Sequence, residues 1–170
     1  MIHHSIYISG GARSGKSRFA QHLAEERAGP HFFLATAHAY DAEMADRIQR
    51  HQDDRDQRWT SIEAPYALAD AIRAHGQKGA TLLVDCITLW LSNHMLADND
   101  VAWQRDDLCD AIRSCPATLI IVSNEVGMGI VPENALARHF RDEAGRTNQQ
   151  IAALCDEVFV TISGIPLRLR

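Results

Sequence analysis

The segment from Gly10 to Ser17 constrains the fold of this 170-residue chain more than any other. It matches the pattern G-x-x-x-x-G-K-S, follows a short apolar strand-like stretch and precedes an amphipathic helical pattern. In that context the pattern is typical of a phosphate-binding loop (P-loop), in which backbone N–H groups and a helix N-terminus surround an anion. We expect Lys16 to reach the β- and γ-phosphates of a nucleotide and the Ser17 hydroxyl to bind Mg²⁺. The P-loop residues are Gly10, Gly11, Ala12, Arg13, Ser14, Gly15, Lys16 and Ser17.

Composition narrows the class of protein. The hydrophobic fraction of 46% and the charged fraction of 23% are those of a globular chain, and the length predicts a single nucleotide-binding domain over residues 1–170. A net charge of −5 argues against a general nucleic-acid binder. The four cysteines have no C-x-x-C spacing, which predicts buried free thiols. We see no signal peptide and no apolar run long enough to span a membrane, and we therefore expect a cytoplasmic protein.

Strand-like and helical stretches alternate along the chain. The pattern predicts an α/β fold with a mostly parallel sheet, helices on both faces and an antiparallel C-terminal hairpin. Predicted strands span residues 6–9, 31–35, 60–63, 81–84, 118–123, 158–162 and 167–169, with a hairpin turn over 163–166. Predicted helices span residues 16–27, 41–57, 66–75, 89–95 and 101–113, and Pro132 is predicted to open one further long helix.

Asp85 follows the apolar stretch Leu82-Leu83-Val84. A carboxylate at the carboxyl end of a buried strand is where P-loop enzymes hold Mg²⁺, directly or through water. The alternative is an aspartate that only caps the next segment.

The stretch 41–57 is polar, so burial alone does not explain a helix there. Arg47, His51 and Arg55 follow one another at i+4 steps and would stack on one face. Two guanidinium groups would disfavour protonation of the imidazole, leaving His51 neutral and nucleophilic beside groups that bind phosphate oxygens. The spacing is equally that of a solvated charged helix with an incidental histidine.

Two further segments leave two interpretations open. Residues 123–134 contain two glycines, two asparagines and two glutamates after a strand, which is typical of a substrate loop or of an ordinary connection. Arg138, Arg141 and Arg146 on the following helix either meet a phosphate or pair with neighbouring carboxylates.

With these residues in place, the chain resembles the bifunctional adenosylcobinamide kinase / adenosylcobinamide-phosphate guanylyltransferase family of cobalamin biosynthesis. The resemblance covers nearly the whole length, and the Asn-Glu-Val-Gly block together with Arg-Ile-x-x-His makes it specific. It rests on the P-loop, Ala35-Thr36-Ala37, Arg47-Ile48-Gln49-Arg50-His51, Asp85-Cys86-Ile87-Thr88-Leu89, residues 123–132, residues 138–142 and residues 145–149.

The resemblance implies a RecA-like P-loop NTPase fold, a homotrimer and two reactions. The first phosphorylates the hydroxyl of the aminopropanol arm of adenosylcobinamide with ATP or GTP. The second transfers GMP from GTP to that phosphate through a guanylylated histidine, which by residue match is His51, with Lys16 as the other catalytic residue. Asp85 stands where some relatives carry Glu, which keeps the carboxylate. The implied nucleotide site comprises the P-loop with Ala35, Thr36, Ala37, Gln52, Asp53, Asp54, Arg55, Glu63 and Asp85, and the implied Mg²⁺ site comprises Ser17 and Asp85.

Two other functions fit the P-loop. One is a small-molecule kinase without guanylyltransferase activity, which would take no covalent GMP. The other is a RecA-like ATPase or a nucleotide-sensing module, which requires a large partner surface or further domains that this acidic chain does not suggest.

Overall fold

The computed structural model describes residues 4–38 and 57–170, which form one seven-stranded sheet and five helices. The strands are β1 (His4–Gly10), β2 (His31–Ala35), β3 (Trp59–Glu63), β4 (Thr81–Asp85), β5 (Thr118–Asn124), β6 (Glu157–Ile162) and β7 (Ile165–Arg168). The helices are α1 (Lys16–Glu25), α2 (Leu68–His75), α3 (Ile87–Leu96), α4 (Val101–Ser114) and α5 (Ala135–Leu154).

The strand order across the sheet is β3-β2-β4-β5-β1-β6-β7. All neighbouring pairs are parallel except β6 and β7, which form an antiparallel hairpin. The predicted mostly parallel sheet with a C-terminal antiparallel pair is therefore confirmed. Because β1 lies between β5 and β6, its last residue, Gly10, is in register with Asn124 on one side and Thr161 on the other.

Alternating residues of the central strands supply two separate cores, one on each face of the sheet. On one face, Ile6 and Ile8 of β1 pack with Ala20 and Ala24 of α1. On the other face, Tyr7 joins a larger core to which α2, α3, α4 and α5 all contribute. The prediction that helices cover both faces is confirmed. Among the described helices, one (α1) packs on the first face and four pack on the second.

Two predicted boundaries are wrong. The last helix begins at Ala135 rather than near Pro132, because the Asn134 side chain accepts a hydrogen bond from the Ala137 N–H (3.0 Å) and caps the helix there. The hairpin turn has two residues instead of four: Ser163 and Gly164 have φ of 53° and 81°, both positive as in a tight hairpin turn. Pro166 therefore lies in β7, an edge strand, where a missing N–H is tolerated.

The other boundaries of the described elements differ by at most two residues, as at α2, which starts at Leu68 rather than at residue 66, and at α3, which starts at Ile87 rather than at residue 89. Gln57, the last residue of the predicted polar helix, lies in a turn, and the rest of that prediction, residues 41–56, falls outside the described residues. Within the described ranges, no helix combines the length and the apolar character needed to cross a bilayer.

Candidate nucleotide-binding site

The P-loop runs from the end of β1 into the first turn of α1, as its sequence predicts. Gly15 has φ +92°, a left-handed conformation that side chains disfavour. At Gly10 the reason for glycine is space, because a Cβ there would lie 2.4 Å from Thr161 Oγ1 and 2.5 Å from Ser14 Oγ. Glycine at these two positions lets the loop adopt the tight conformation in which its backbone N–H groups can face an anion.

Lys16 and Ser17 occupy the first turn of α1. The Lys16 ammonium donates a hydrogen bond to the Gly11 carbonyl across the loop (2.9 Å), and the residue is only 8% exposed. Ser17 is exposed. The ammonium is thus held over the loop, where a phosphate can compete for it, and the hydroxyl is accessible to a cation.

The C-terminal hairpin holds the P-loop from the side. Ser14 Oγ and Thr161 Oγ1 share a buried hydrogen bond of 2.8 Å between residues 147 positions apart in the sequence. The Gly164 N–H donates to the Ser14 carbonyl (2.9 Å). Sequence reasoning missed Thr161 and Gly164, because no local pattern indicates that a terminal hairpin lies beside the first loop.

Asp85 ends β4 at the same edge of the sheet, here called the carboxyl edge. Strand β5 lies between β4 and β1, so the Asp85 strand and the P-loop strand are roughly 10 Å apart at ordinary strand spacing. The Asp85 carbonyl accepts a hydrogen bond from the Thr36 N–H (3.3 Å). The side chain is half-buried.

The predicted residues of β2 and β3 lie farther along the carboxyl edge. Ala35 is in register with Asp85 on one side and with Glu63 on the other. Thr36 is fully buried, and its hydroxyl donates to the Cys86 carbonyl (2.7 Å) and accepts from the Cys86 N–H (2.8 Å). Thr36 therefore ties the end of β2 to the start of α3.

Hydrogen bonds also order the backbone at the end of β5. Thr88 Oγ1 accepts from the Asn124 N–H (2.7 Å), Ser123 Oγ donates to Asn148 Oδ1 (2.7 Å), and Asn148 Nδ2 donates to the Asn124 carbonyl (3.2 Å). Burial raises the pKa of the neighbouring Cys86 thiol to about 11, so it is neutral and not a nucleophile at neutral pH.

The loop between β5 and α5 is largely exposed, and its apolar side chains Met128 and Ile130 are 88% and 98% exposed. On α5, Arg146 pairs with Glu143, and Arg141 Nε lies 3.9 Å from Asp142 Oδ1. Arg138 donates instead to the carbonyls of Pro132 and Glu133 at 2.9 and 2.6 Å. Pairing with neighbouring carboxylates, one of the two predicted roles, is therefore seen for Arg141 and Arg146 but not for Arg138.

Some predicted site residues fall outside the described residues. They are His51, its neighbours Arg47 and Arg55, and Gln52, Asp53 and Asp54. The structure brings the P-loop, Ala35, Thr36, Ala37, Glu63 and Asp85 to one edge of the sheet.

Among solved structures, the chain is similar to an ATPase from the type III secretion system of pathogenic bacteria, with a TM-score of 0.53 at 12% identity. The match covers 94% of this chain, which spans about half (51%) of that ATPase. At this identity the likeness shows the fold alone, and it agrees with the predicted P-loop fold class.

Sequence relatives extend over almost the whole chain. The chain is 44% identical to the bifunctional adenosylcobalamin biosynthesis protein CobP of Pseudomonas aeruginosa, covering 96% of this chain and 95% of that protein. It is also 44% identical to the bifunctional adenosylcobalamin biosynthesis protein CobU of Salmonella typhimurium, covering 97% and 99%. The family model described as cobinamide kinase / cobinamide phosphate guanyltransferase matches residues 6–169. The chain therefore belongs to the cobinamide kinase / cobinamide phosphate guanyltransferase family.

Proposed function

We propose that this chain phosphorylates the aminopropanol hydroxyl of adenosylcobinamide with ATP or GTP and then transfers GMP from GTP to the new phosphate. The transfer passes through a guanylylated His51 and gives adenosyl-GDP-cobinamide. The observation that carries the proposal is the formed P-loop in a chain that matches this family over residues 6–169.

One phosphate cradle serves both reactions in this proposal. In the kinase reaction the bond to the γ-phosphoryl group breaks, and the P-loop holds the group that is transferred. In guanylylation the nucleophile attacks the α-phosphorus and pyrophosphate leaves, so the same loop holds the leaving group. Lys16, which already lies over the loop beside the Gly11 carbonyl, offsets charge on the β- and γ-phosphates in both cases.

The donor set at the carboxyl edge fits Mg²⁺. Ser17 offers an exposed hydroxyl and Asp85 a carboxylate, and oxygen ligands from one or two side chains plus substrate phosphates are the usual Mg²⁺ environment. When bound, the ion neutralises phosphate charge.

The strand order supports a direction for the nucleotide. Glu63, Ala35 and Asp85 form one register row that extends away from the P-loop. We place the triphosphate at the P-loop and the nucleoside toward β2 and β3, where Ala35, Ala37 and Glu63 lie. The Thr36 hydroxyl does not bind the nucleotide in this proposal, because it already bonds to the carbonyl and the N–H of Cys86; its role is to hold the backbone of that region.

A homotrimer and a cytoplasmic location are part of the same proposal. Exposed apolar side chains on the edge strand β7 and just beyond it support association with further copies: Ile165, Leu167 and Leu169 are 69%, 56% and 64% exposed. Light scattering of the purified protein tests the trimer. The four cysteines are buried free thiols, which suits a reducing compartment.

The decisive experiment incubates the protein with GTP labelled with ³²P at the α-phosphate. We expect acid-labile covalent label on the wild type and none on His51→Ala. Phosphorylation of adenosylcobinamide persists in that variant, at least in part, because attack of a hydroxyl on the γ-phosphoryl group needs no protein nucleophile.

His38→Ala and His139→Ala are the matched controls and should label normally. Label on His51→Ala would assign the nucleophile to another histidine, with His38 and His139 as the next candidates. A wild type that phosphorylates cobinamide without taking label would be a kinase lacking guanylyltransferase activity.

A further inference from the structure

In the described part of the chain, three carboxylates stand at or directly after strand ends on the carboxyl edge: Glu63 is the last residue of β3, Asp85 is the last residue of β4, and Glu125 directly follows β5. Glu63 lies four strand positions from β1, roughly 19 Å at ordinary strand spacing. Asp85 lies two positions away and Glu125 only one. The Glu125 strand is therefore the one between the P-loop and the proposed Mg²⁺ ligand.

Glu125 is bonded directly to the P-loop through its backbone. Its N–H donates to the carbonyl of Gly10, the first residue of the P-loop (3.0 Å), so the Glu125 backbone is held beside the start of that loop. The preceding residue, Asn124, is held by Thr88 and Asn148, which limits how far the Glu125 backbone can move. The position of this carboxylate is thus determined by the same framework that shapes the phosphate cradle.

The Glu125 side chain is oriented by its own loop. Oε1 accepts a hydrogen bond from the Gly127 N–H (2.6 Å), and a Cβ at Gly127 would lie 2.9 Å from that oxygen. Among residues 4–38 and 57–170, this N–H is the only group seen to bond to the carboxylate. The residue is half-exposed, so a substrate can reach it at the carboxyl edge.

We propose that Glu125 is the general base of the kinase reaction, accepting the proton of the alcohol that attacks the γ-phosphoryl group. The inference rests on the proposed function and adds a catalytic residue to it. The hydroxyl oxygen forms a bond to the γ-phosphorus as the bond to the bridging β,γ-oxygen breaks, and the nucleoside diphosphate leaves with that electron pair. The hydroxyl proton passes to the Glu125 carboxylate and then to solvent.

The guanylyl transfer needs no such base. A neutral imidazole attacks the α-phosphorus through a lone pair, and the later acceptor is a phosphate oxygen that is already ionised. Neither step removes a proton from an alcohol. Loss of the Glu125 carboxylate should therefore separate the two activities in the direction opposite to loss of His51.

The test compares Glu125→Gln with the wild type in both assays. The amide keeps an oxygen for the Gly127 N–H but cannot take up a proton. We expect kcat for phosphorylation of adenosylcobinamide to fall by about 10²-fold or more, with KM for ATP within about twofold and labelling by α-³²P GTP at the wild-type rate. Glu26→Gln, at the far end of α1, is the control and should leave both rates unchanged.

Retention of kinase kcat within about threefold would overturn the assignment. An equal loss of kinase and labelling would also overturn it, because the carboxylate would then act on the nucleotide that both reactions share. If Glu125→Gln lowers the unfolding midpoint, Glu125→Asp keeps the inference testable: it should regain part of the kinase kcat with labelling at the wild-type rate, and a folded aspartate variant with no regain would overturn the assignment. A wild type that does not phosphorylate cobinamide would contradict the proposed function itself.

Discussion

At the scale of single residues, the candidate site depends on charges held at strand and helix ends. Lys16 lies at the start of α1 and Asp85 at the end of β4, separated by the strand that leads to Glu125. None of the three is in the apolar core, so substitutions that keep their shape should change function more than stability.

Asp85→Asn should weaken the response to Mg²⁺. The amide preserves the size of the side chain and loses its charge, which reduces affinity for a hard cation. We expect the Mg²⁺ concentration for half-maximal turnover to rise about tenfold, with little change in the unfolding midpoint. Titration of turnover with Mg²⁺ measures this.

Asp110→Asn, on the exposed surface of α4, is the matched control for that titration. An unchanged Mg²⁺ requirement in Asp85→Asn would remove Asp85 from the metal site.

At the scale of elements, the β6–β7 hairpin is a structural part of the P-loop. It supplies the Thr161 hydroxyl that bonds to Ser14, and its turn residue Gly164 has its Cα 3.1 Å from where a Gly15 Cβ would lie. The hairpin also forms one edge of the sheet. A change in its position would therefore shift the P-loop residues that bond to it.

Thr161→Val should therefore raise KM for the nucleotide several-fold in both reactions. Valine has the shape of threonine but leaves the buried Ser14 hydroxyl without its partner, which costs about 1–3 kcal/mol of stability or loop order. Initial rates against nucleotide concentration, together with urea unfolding, measure both effects. Thr161→Ser retains the hydroxyl and should stay close to the wild type in KM. Equal KM values for the valine and serine variants would show that this hydrogen bond does not determine the conformation of the P-loop.

At the scale of the whole molecule, the larger face of the sheet contains a buried ion pair between helices. Arg105 of α4 donates to Glu143 Oε2 of α5 (2.7 Å), and Arg146 donates to the other carboxylate oxygen. Burial raises the pKa of Glu143, but the hydrogen bonds and charges of the two arginines outweigh it and hold the pKa below the usual value of 4.5. The pair joins the helix that precedes β5 to the helix that follows it.

Glu143→Gln should lower the free energy of unfolding at pH 7 by roughly 3 kcal/mol, because the Arg105 charge stays buried without its counter-charge. A depressed pKa in the folded state gives stability that is complete above about pH 4.5 and is lost as the pH falls through the lower folded value. The difference between variant and wild type should therefore shrink below pH 4.5. Urea unfolding at pH 7, 5 and 4 measures it; a difference that stays constant with pH would exclude the ionised pair as its source.

Local patterns predicted most of the elements, because the apolar periodicity of a strand or helix lies within a few neighbouring residues. The same holds for the P-loop, whose glycine spacing and flanking strand and helix are contiguous in the sequence. Prediction was wrong where one side chain decided a boundary, as with the Asn134 cap, and where two positive φ values shortened the hairpin turn.

The sequence by itself determined the phosphate-binding loop, the α/β class and the family, since each rests on residue types at short, fixed spacings. Only the tertiary structure decided that β5 lies between the P-loop strand and Asp85, which brings Glu125 to Gly10. It alone placed Thr161 against Ser14 across 147 residues. The reason is physical: strand order and loop contacts arise from burying both faces of one sheet at once, a condition on the whole chain that no short stretch expresses.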